Sequence, residues 1–237
     1  MIFITSIFLV SSASYAKADE FHMVTGAKAP YSSDNGSGFL ELIAKEAFGR
    51  LGHTVKFNTL PTARAIQTVS VGKADGDMQR IGGLEKKIPN LVPVLESVSE
   101  YEFTGFSLSK NLRNLDLKDL SGSTVAYLNG WKYYDFNVPK ETSTIIANTP
   151  SQLFKLLKKK RVDLVLFSRW SGYYWAQKEK VAAFAINPSF KKLKMYIYLN
   201  KKHIELAPML ARALKQMKED GTYEKIFTKT LKQHASS

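Results

Sequence analysis

The chain has no cysteine, which excludes disulfides, thiolate metal centres and lipid attachment at a cysteine beside a leader. Its four histidines, His22, His53, His203 and His234, are scattered without ligand spacing, so neither a metal nor another cofactor is expected. No G-x-S-x-G, H-E-x-x-H or phosphate-loop pattern occurs, and this removes the usual signatures of hydrolase, zinc protease and nucleotide chemistry. After the first residues no apolar run approaches the roughly 20 residues of a spanning helix. No segment is low in complexity.

What remains is a chain of 237 residues, 44% hydrophobic and 12% aromatic. That is ample for one large domain or two modest lobes. Ile2 to Val10 is apolar, Ser11 to Tyr15 is small and polar, and Ala16-Lys17-Ala18 has the small-x-small form of a cleavage site. Residues 1–18 are therefore expected to be a secretory signal peptide cleaved before Asp19, although no Lys or Arg precedes the apolar run. The mature protein is expected in the periplasm, not as a lipoprotein.

The formal net charge is +13. Between Ser109 and Lys194 there are 16 Lys or Arg against 6 Asp or Glu, so the excess sits mainly in the middle of the chain. A basic face suits nucleic acid, anionic membrane or an acidic ligand. For an exported chain no nucleic-acid partner is expected, and a solvated lysine surface explains much of the charge.

Two stretches echo each other. Ala63 to Met78 and Ser151 to Leu166 each run helix, basic turn, Val or Ala, Asp, then a short strand. Around the first, Phe21 to Gly26 reads as a strand, Ser37 as the cap of a helix carrying Phe39, Ile43, Ala47 and Leu51, and Val55 to Leu60 as a second strand. Pro61 opens the next helix and Gly72 closes it. Around the second copy, Thr124 to Leu128 is a strand, Thr149-Pro150-Ser151-Gln152 is a helix start with a capping box, and Leu164 to Phe167 is a buried strand. Lys158 to Arg161 fall in the last turn of that helix, where the dipole favours positive charge. Lys194 to Leu199 reads as a strand before two C-terminal helices separated by Gly221. Such alternation predicts two parallel α/β lobes, crossed by the chain near Phe103 to Leu108 and Met195 to Leu199.

Ala29-Pro30-Tyr31, Leu60-Pro61 with Arg64 and Ala65, Asp75-Gly76, Asp119-Leu120-Ser121-Gly122, Val162-Asp163 and Asp220-Gly221-Thr222-Tyr223, in this order and spacing, resemble the bacterial extracellular solute-binding protein family 3. Its members are the periplasmic receptors of amino-acid-type ABC importers and their relatives. The resemblance implies an α/β type II periplasmic-binding-protein fold, two lobes joined by two hinge strands. Lobe 1 would take residues 19–106 plus 196–237, and lobe 2 residues 107–195. It also implies capture of a small polar ligand by lobe closure, a monomeric receptor, and an ABC permease or a membrane sensor as partner.

The same resemblance selects candidate ligand-binding residues. Tyr31 stands where relatives place an aromatic against the ligand, and Arg64 where a helix arginine points into the cleft. Gln79 and Arg80 end a strand of lobe 1, where a guanidinium can take a carboxylate or phosphate with two hydrogen bonds; the competing reading pairs Arg80 with Asp75 or Asp77. Asn129, Gly130 and Trp131 lie where the family binds an anion at a helix start. Tyr101, Ser168 and Arg169 complete the set, with Trp170 a weaker candidate. Amino-acid receptors usually carry Thr and Arg after the Gln79-Arg80 strand and an Asp near Ser168. Here Gly82-Gly83-Leu84-Glu85-Lys86 and Ser168-Arg169 stand instead, which favours an anionic or polyhydroxylated ligand over an α-amino acid. Two rival functions remain: a sensory module, and a dehydratase-type or peptidoglycan-cleaving enzyme using Asp77, Glu100 or Glu102 as acid.

Overall fold

The structure, a computed structural model, describes residues 18–110 and 115–235; apart from Ala18, the expected leader lies outside the described residues. Strand β1 (Glu20–Thr25) buries Met23, Val24 and Thr25 in succession, as a central parallel strand does. Helix α1 (Phe39–Gly49), β2 (Thr54–Thr59), α2 (Thr62–Ser70) and β3 (Gly76–Ile81) follow. Both β2 and β3 pair with β1 in parallel. The short β4 (Leu91–Pro93) then leads to the long β5 (Ser99–Ser107).

The second half repeats the pattern with β6 (Thr124–Leu128), α3 (Lys132–Asn137), β7 (Ser143–Ala147), α4 (Pro150–Lys158), β8 (Leu164–Ser168) and α5 (Arg169–Lys178). β6 pairs in parallel with β7 and β8. After the two-residue β9 (Phe184–Ala185), β10 (Lys191–Asn200) returns, followed by α6 (Leu206–Glu219) and α7 (Thr222–Thr230).

The sheet runs β2-β1-β3-β10-β5-β8-β6-β7. Its two ends are parallel, and its middle is not: β10 is antiparallel to both β3 and β5, and β5 is antiparallel to β8. Two parallel half-sheets are thus joined through one antiparallel pair of long strands. Each half has its own apolar cores. Phe39, Ile43, Phe48, Leu210 and Leu214 belong to the first half, and Leu153, Phe154, Val165 and Phe167 to the second.

The echoed aspartates now have a common role. Asp75 and the first strand exchange bonds, the His22 amide donating to the Asp75 carboxylate at 2.8 Å and the Asp75 amide to the His22 carbonyl at 2.8 Å. Asp163 does the same with Thr124, at 2.8 Å to its carboxylate and 2.8 Å from its amide. In each lobe the side chain continues the ladder past the strand end, tying β3 to β1 and β8 to β6.

Asp75 also takes Lys202 Nζ and His203 Nε2, both at 2.7 Å. Burial raises its carboxyl pKa, but these partners and the His22 amide outweigh burial and hold it at about 2. Because the folded value lies below the unfolded value of about 3.9, this stabilisation is complete above pH 4 and is lost as pH falls toward 2. Asp75→Asn is expected to flatten that acid limb of stability, measured by urea unfolding between pH 2 and 6.

Local expectations are met at some helix ends and corrected at others. Thr149 and Gln152 form the anticipated capping box, and Pro150 occupies the first turn. Ser37 is not a cap: α1 is capped by Gly38 without a side-chain bond, and the Ser37 hydroxyl turns to Asn35 at 2.6 Å. A Cβ at Gly38 would come within 2.4 Å of the buried Glu41 carboxylate, so the cap position is left to a residue without a side chain. α4 ends at Lys158, so Lys159, Lys160 and Arg161 lie beyond its last turn, and Lys160 has a positive φ of 52°.

Candidate ligand-binding site

A cavity of about 360 Å³ opens between the half-sheets, within the usual size range for small-ligand sites. The first half contributes the loop after β1 (Gly26 to Ala29 and Tyr31), Thr62 at the start of α2, and Gln79 and Arg80 at the end of β3. The crossing strands contribute Tyr101 and Met195, and the second half Leu128, Trp131, Pro150, Phe167, Ser171 and Trp175. These positions follow from the α/β topology, since strand ends and the loops after them meet at the crevice.

One wall is aromatic. Tyr31 stacks on Tyr101 with centroids 5.9 Å apart and planes 27° apart. Tyr101 leans on Trp131 at 6.3 Å, and Trp131 stacks on Phe167 at 4.7 Å. Behind it, Tyr134 lies parallel to Trp131 at 5.9 Å and donates its buried hydroxyl toward the Phe167 and Thr104 carbonyls at 2.8 and 3.0 Å. Burial pushes the Tyr101 phenol up to about 12, and it raises that of Tyr31 too, so both are neutral donors at any working pH. The Tyr31 hydroxyl is buried and has no hydrogen-bond partner among the described residues.

The lining also carries two cations, Lys28 and Arg80. Arg80 holds Asp77 with Nε at 2.7 Å and Nη2 at 2.5 Å, and Nη2 also donates to the Thr62 carbonyl at 2.7 Å. Asp77 is fully buried; burial raises its carboxyl pKa and the guanidinium opposes that rise. Among the described residues these bonds use Nε and Nη2 and not Nη1, and Arg80 lines the cavity. Lys28, exposed at the mouth, has no ion pair among the described residues. No Asp, Glu or His is among the lining residues.

Of the ten sequence candidates, Tyr31, Gln79, Arg80, Tyr101 and Trp131 line this cavity. Gly130 borders a smaller neighbouring hollow with Tyr101, Phe103 and Trp131. Arg64 is an exposed helix residue, and neither it nor Asn129 reaches the lining. Ser168 is fully buried at the end of β8, behind the lining. Arg169 turns away from the cavity: it donates to Glu102 at 2.7 Å, to Ser189 at 2.8 Å and to the Ile186 carbonyl at 3.1 Å, fastening α5 to the crossing strand. Gln79 is itself held by a bond of 2.9 Å to Ser99. Lys28, Thr62, Phe167, Ser171 and Trp175 line the cavity without being among the sequence candidates. Ser171 and Trp175 sit on α5, whose sequence RWSGYYWAQK carries aromatics on every side and so shows no helical stripe.

No family model matches the chain. An uncharacterized protein of Shewanella oneidensis is 29% identical over 193 residues, covering 78% of this chain and 73% of the relative. Among solved structures, the probable amino-acid ABC transporter extracellular-binding protein ytmK of Bacillus subtilis matches at a TM-score of 0.74 and 20% identity, over 91% of this chain and 99% of its own. The fold is that of the extracellular solute-binding proteins. A histidine kinase sensor domain with similarity to periplasmic binding proteins shares this solute-binding fold, at a TM-score of 0.68, 17% identity, and coverage of 91% and 96%. So does the ancestral amino acid-binding protein AncCDT-1, a precursor of cyclohexadienyl dehydratase, at 0.66, 21%, and coverage of 90% and 95%. The family 3 resemblance carried by the short motifs therefore agrees with the fold, two α/β lobes joined by crossing strands. Among the described residues no helix is long and apolar enough to cross a membrane.

Proposed function

We propose that this solute-binding fold acts as a periplasmic receptor that captures a small ligand between its lobes and delivers it to an ABC importer. The observation that carries this reading is the cavity, whose lining comes from both half-sheets and whose floor includes Tyr101 and Met195 of the crossing strands. A ligand touching both lobes is held better when they close on it, so it shifts the equilibrium toward the closed form. Lobe 1 takes residues 19–106 and 196–237 and lobe 2 residues 107–195, with β5 and β10 as hinges. Residues 1–18 serve as the export signal in this reading.

Catalysis has less support. The three carboxyls that would serve as acids are committed elsewhere: Asp77 to Arg80, Glu102 to Arg169 and Glu100 to Lys192 at 3.0 Å. None of them lines the cavity. A sensory role uses the same closure and differs only in the membrane partner.

The test is a thermal-shift screen of the mature protein against amino acids, carboxylates, phosphonates and sugars, followed by X-ray scattering with any hit. A ligand at one hundred times its dissociation constant adds about 2.7 kcal/mol of stability. The reading expects such a shift together with a smaller radius of gyration, and Trp131→Ala is expected to weaken binding by tenfold or more. Turnover of the hit by catalytic amounts of protein would replace the receptor by an enzyme.

A further inference from the structure

We infer that the ligand is a monocarboxylate with a flat, apolar body and no ammonium group, an arylalkanoate in chemical class. The inference rests on the receptor reading and adds the ligand's chemistry to it. Charge is the first argument. Lys28 and Arg80 are the charged residues on the lining, and no acid accompanies them. Arg80 is offset by Asp77 at 2.5 Å, which leaves about one uncompensated positive charge in the cavity, carried by Lys28. That balance suits one carboxylate. An ammonium brought into the same cavity would lose water without meeting a carboxylate, and burying an unpaired charge is strongly unfavourable.

Shape is the second argument. The aromatic wall is continuous: Tyr31 stacks on Tyr101 at 5.9 Å, Tyr101 meets Trp131 at 6.3 Å with the planes tilted by 50°, and Trp131 stacks on Phe167 at 4.7 Å. These rings pack against each other rather than standing around a gap, so they form no cage for a cation; Tyr31 and Phe167 are buried, and the part-exposed Tyr101 and Trp131 offer the apolar surface that a planar body would meet. Leu128 and Met195 extend the apolar lining. The carboxylate end is met by Lys28, by Arg80 Nη1 and by Thr62 at the start of α2. The Tyr31 hydroxyl, buried and without a partner among the described residues, is a further donor in the wall.

The test compares four probes by calorimetry on the mature full-length protein: 3-phenylpropanoate, phenylalanine, phenethylamine and propanoate. They separate ring, carboxylate and ammonium. The expected order places 3-phenylpropanoate at least tenfold tighter than phenylalanine and propanoate, with no binding of phenethylamine. Lys28→Glu should weaken 3-phenylpropanoate by at least tenfold while the melting temperature of the unliganded protein stays unchanged, since Lys28 is exposed and forms no ion pair among the described residues. Equal or tighter binding of phenylalanine, or an affinity indifferent to Lys28→Glu, would overturn the inference. If these acids fail while an amino acid or sugar of the wider panel produces a shift and contraction, the ligand class falls and the receptor stands. If no solute in the panel shifts the protein, both fall.

Discussion

Arg80→Ala is expected to destabilise the unliganded protein by about 3–5 kcal/mol, because it strands a buried carboxylate. Asp77 is fully buried and receives two bonds from the one guanidinium, at 2.7 and 2.5 Å. The same guanidinium joins the end of β3 to the start of α2 through the Thr62 carbonyl at 2.7 Å. Removing it abolishes all three bonds at once. Denaturant melts of Arg80→Ala, Asp77→Asn and the double variant would measure the coupling. The double variant should recover at least half of the loss, since a neutral amide is cheaper to bury than an unpaired charge. A loss below about 1 kcal/mol would mean that the pair contributes little. Arg80 is thus a structural residue that also lines the cavity.

The second large effect is expected at Gly172, on the buried face of α5. A Cβ there would lie 2.0 and 2.2 Å from the ring carbons Cε2 and Cζ of Phe106. Phe106 belongs to β5 and cannot swing aside, being fully buried and packed against Phe154 and Tyr173 at 5.7 and 5.4 Å. Gly172→Ala should gain up to about 1 kcal/mol of helix propensity and lose about 3 kcal/mol or more to overpacking, a net loss. Adding Phe106→Leu should restore part of it. Gly130→Ala serves as the control: no heavy atom lies within 4 Å of the added methyl, and the cost comes only from the positive φ of 78°, about 1–2 kcal/mol. Equal losses at the two glycines would refute the packing explanation. The close approach at Gly172 seats α5 against the crossing strand, and this brings Ser171 and Trp175 into the cavity lining.

The two positions show why some of the site could be read in advance and some could not. Gln79, Arg80, Tyr101 and Trp131 were accessible because they sit at strand ends, on a crossing strand or in the loop after a strand, where local patterns predict the elements and topology predicts the crevice. Arg169 shares that sequence context, yet its guanidinium is bonded to Glu102, Ser189 and the Ile186 carbonyl. Its partners, Glu102 and Ser189, lie 67 and 87 positions apart from Arg169 and Glu102 respectively along the chain in the bonds that hold the cluster together, so no local pattern reveals the network. At Lys28 the local sequence carries no signal at all. An exposed lysine is the commonest of surface residues, and only the structure shows that Lys28 lines a cavity whose lining residues include no acid.

The C-terminus offers a similar contrast. Leu206, Leu210, Leu214 and Met217 recur on one face and are buried as expected, and Gly221 breaks the helix with a φ of 80°. Their docking against α1 also places Phe227 on Trp170 of the second half, at 4.9 Å, and His234 on Gln177, at 2.6 Å. The halves therefore touch through these C-terminal residues as well as through β5 and β10. Nothing in the helical periodicity indicates this contact.

By itself the amino-acid sequence determined the alternation of strands and helices, the duplicated half with its aspartate, and the uneven charge. Each depends on residues within a few positions of one another, where backbone sterics, capping and apolar periodicity operate. The tertiary structure alone decided which cations are free. Arg80 and Arg169 look alike along the chain, yet each is claimed by a carboxylate on or beside a buried strand, and Lys28 is left at the mouth of an aromatic cavity without an acid. Ion pairing is settled by distance in space and by the loss of water around buried charge, and neither is written in local order.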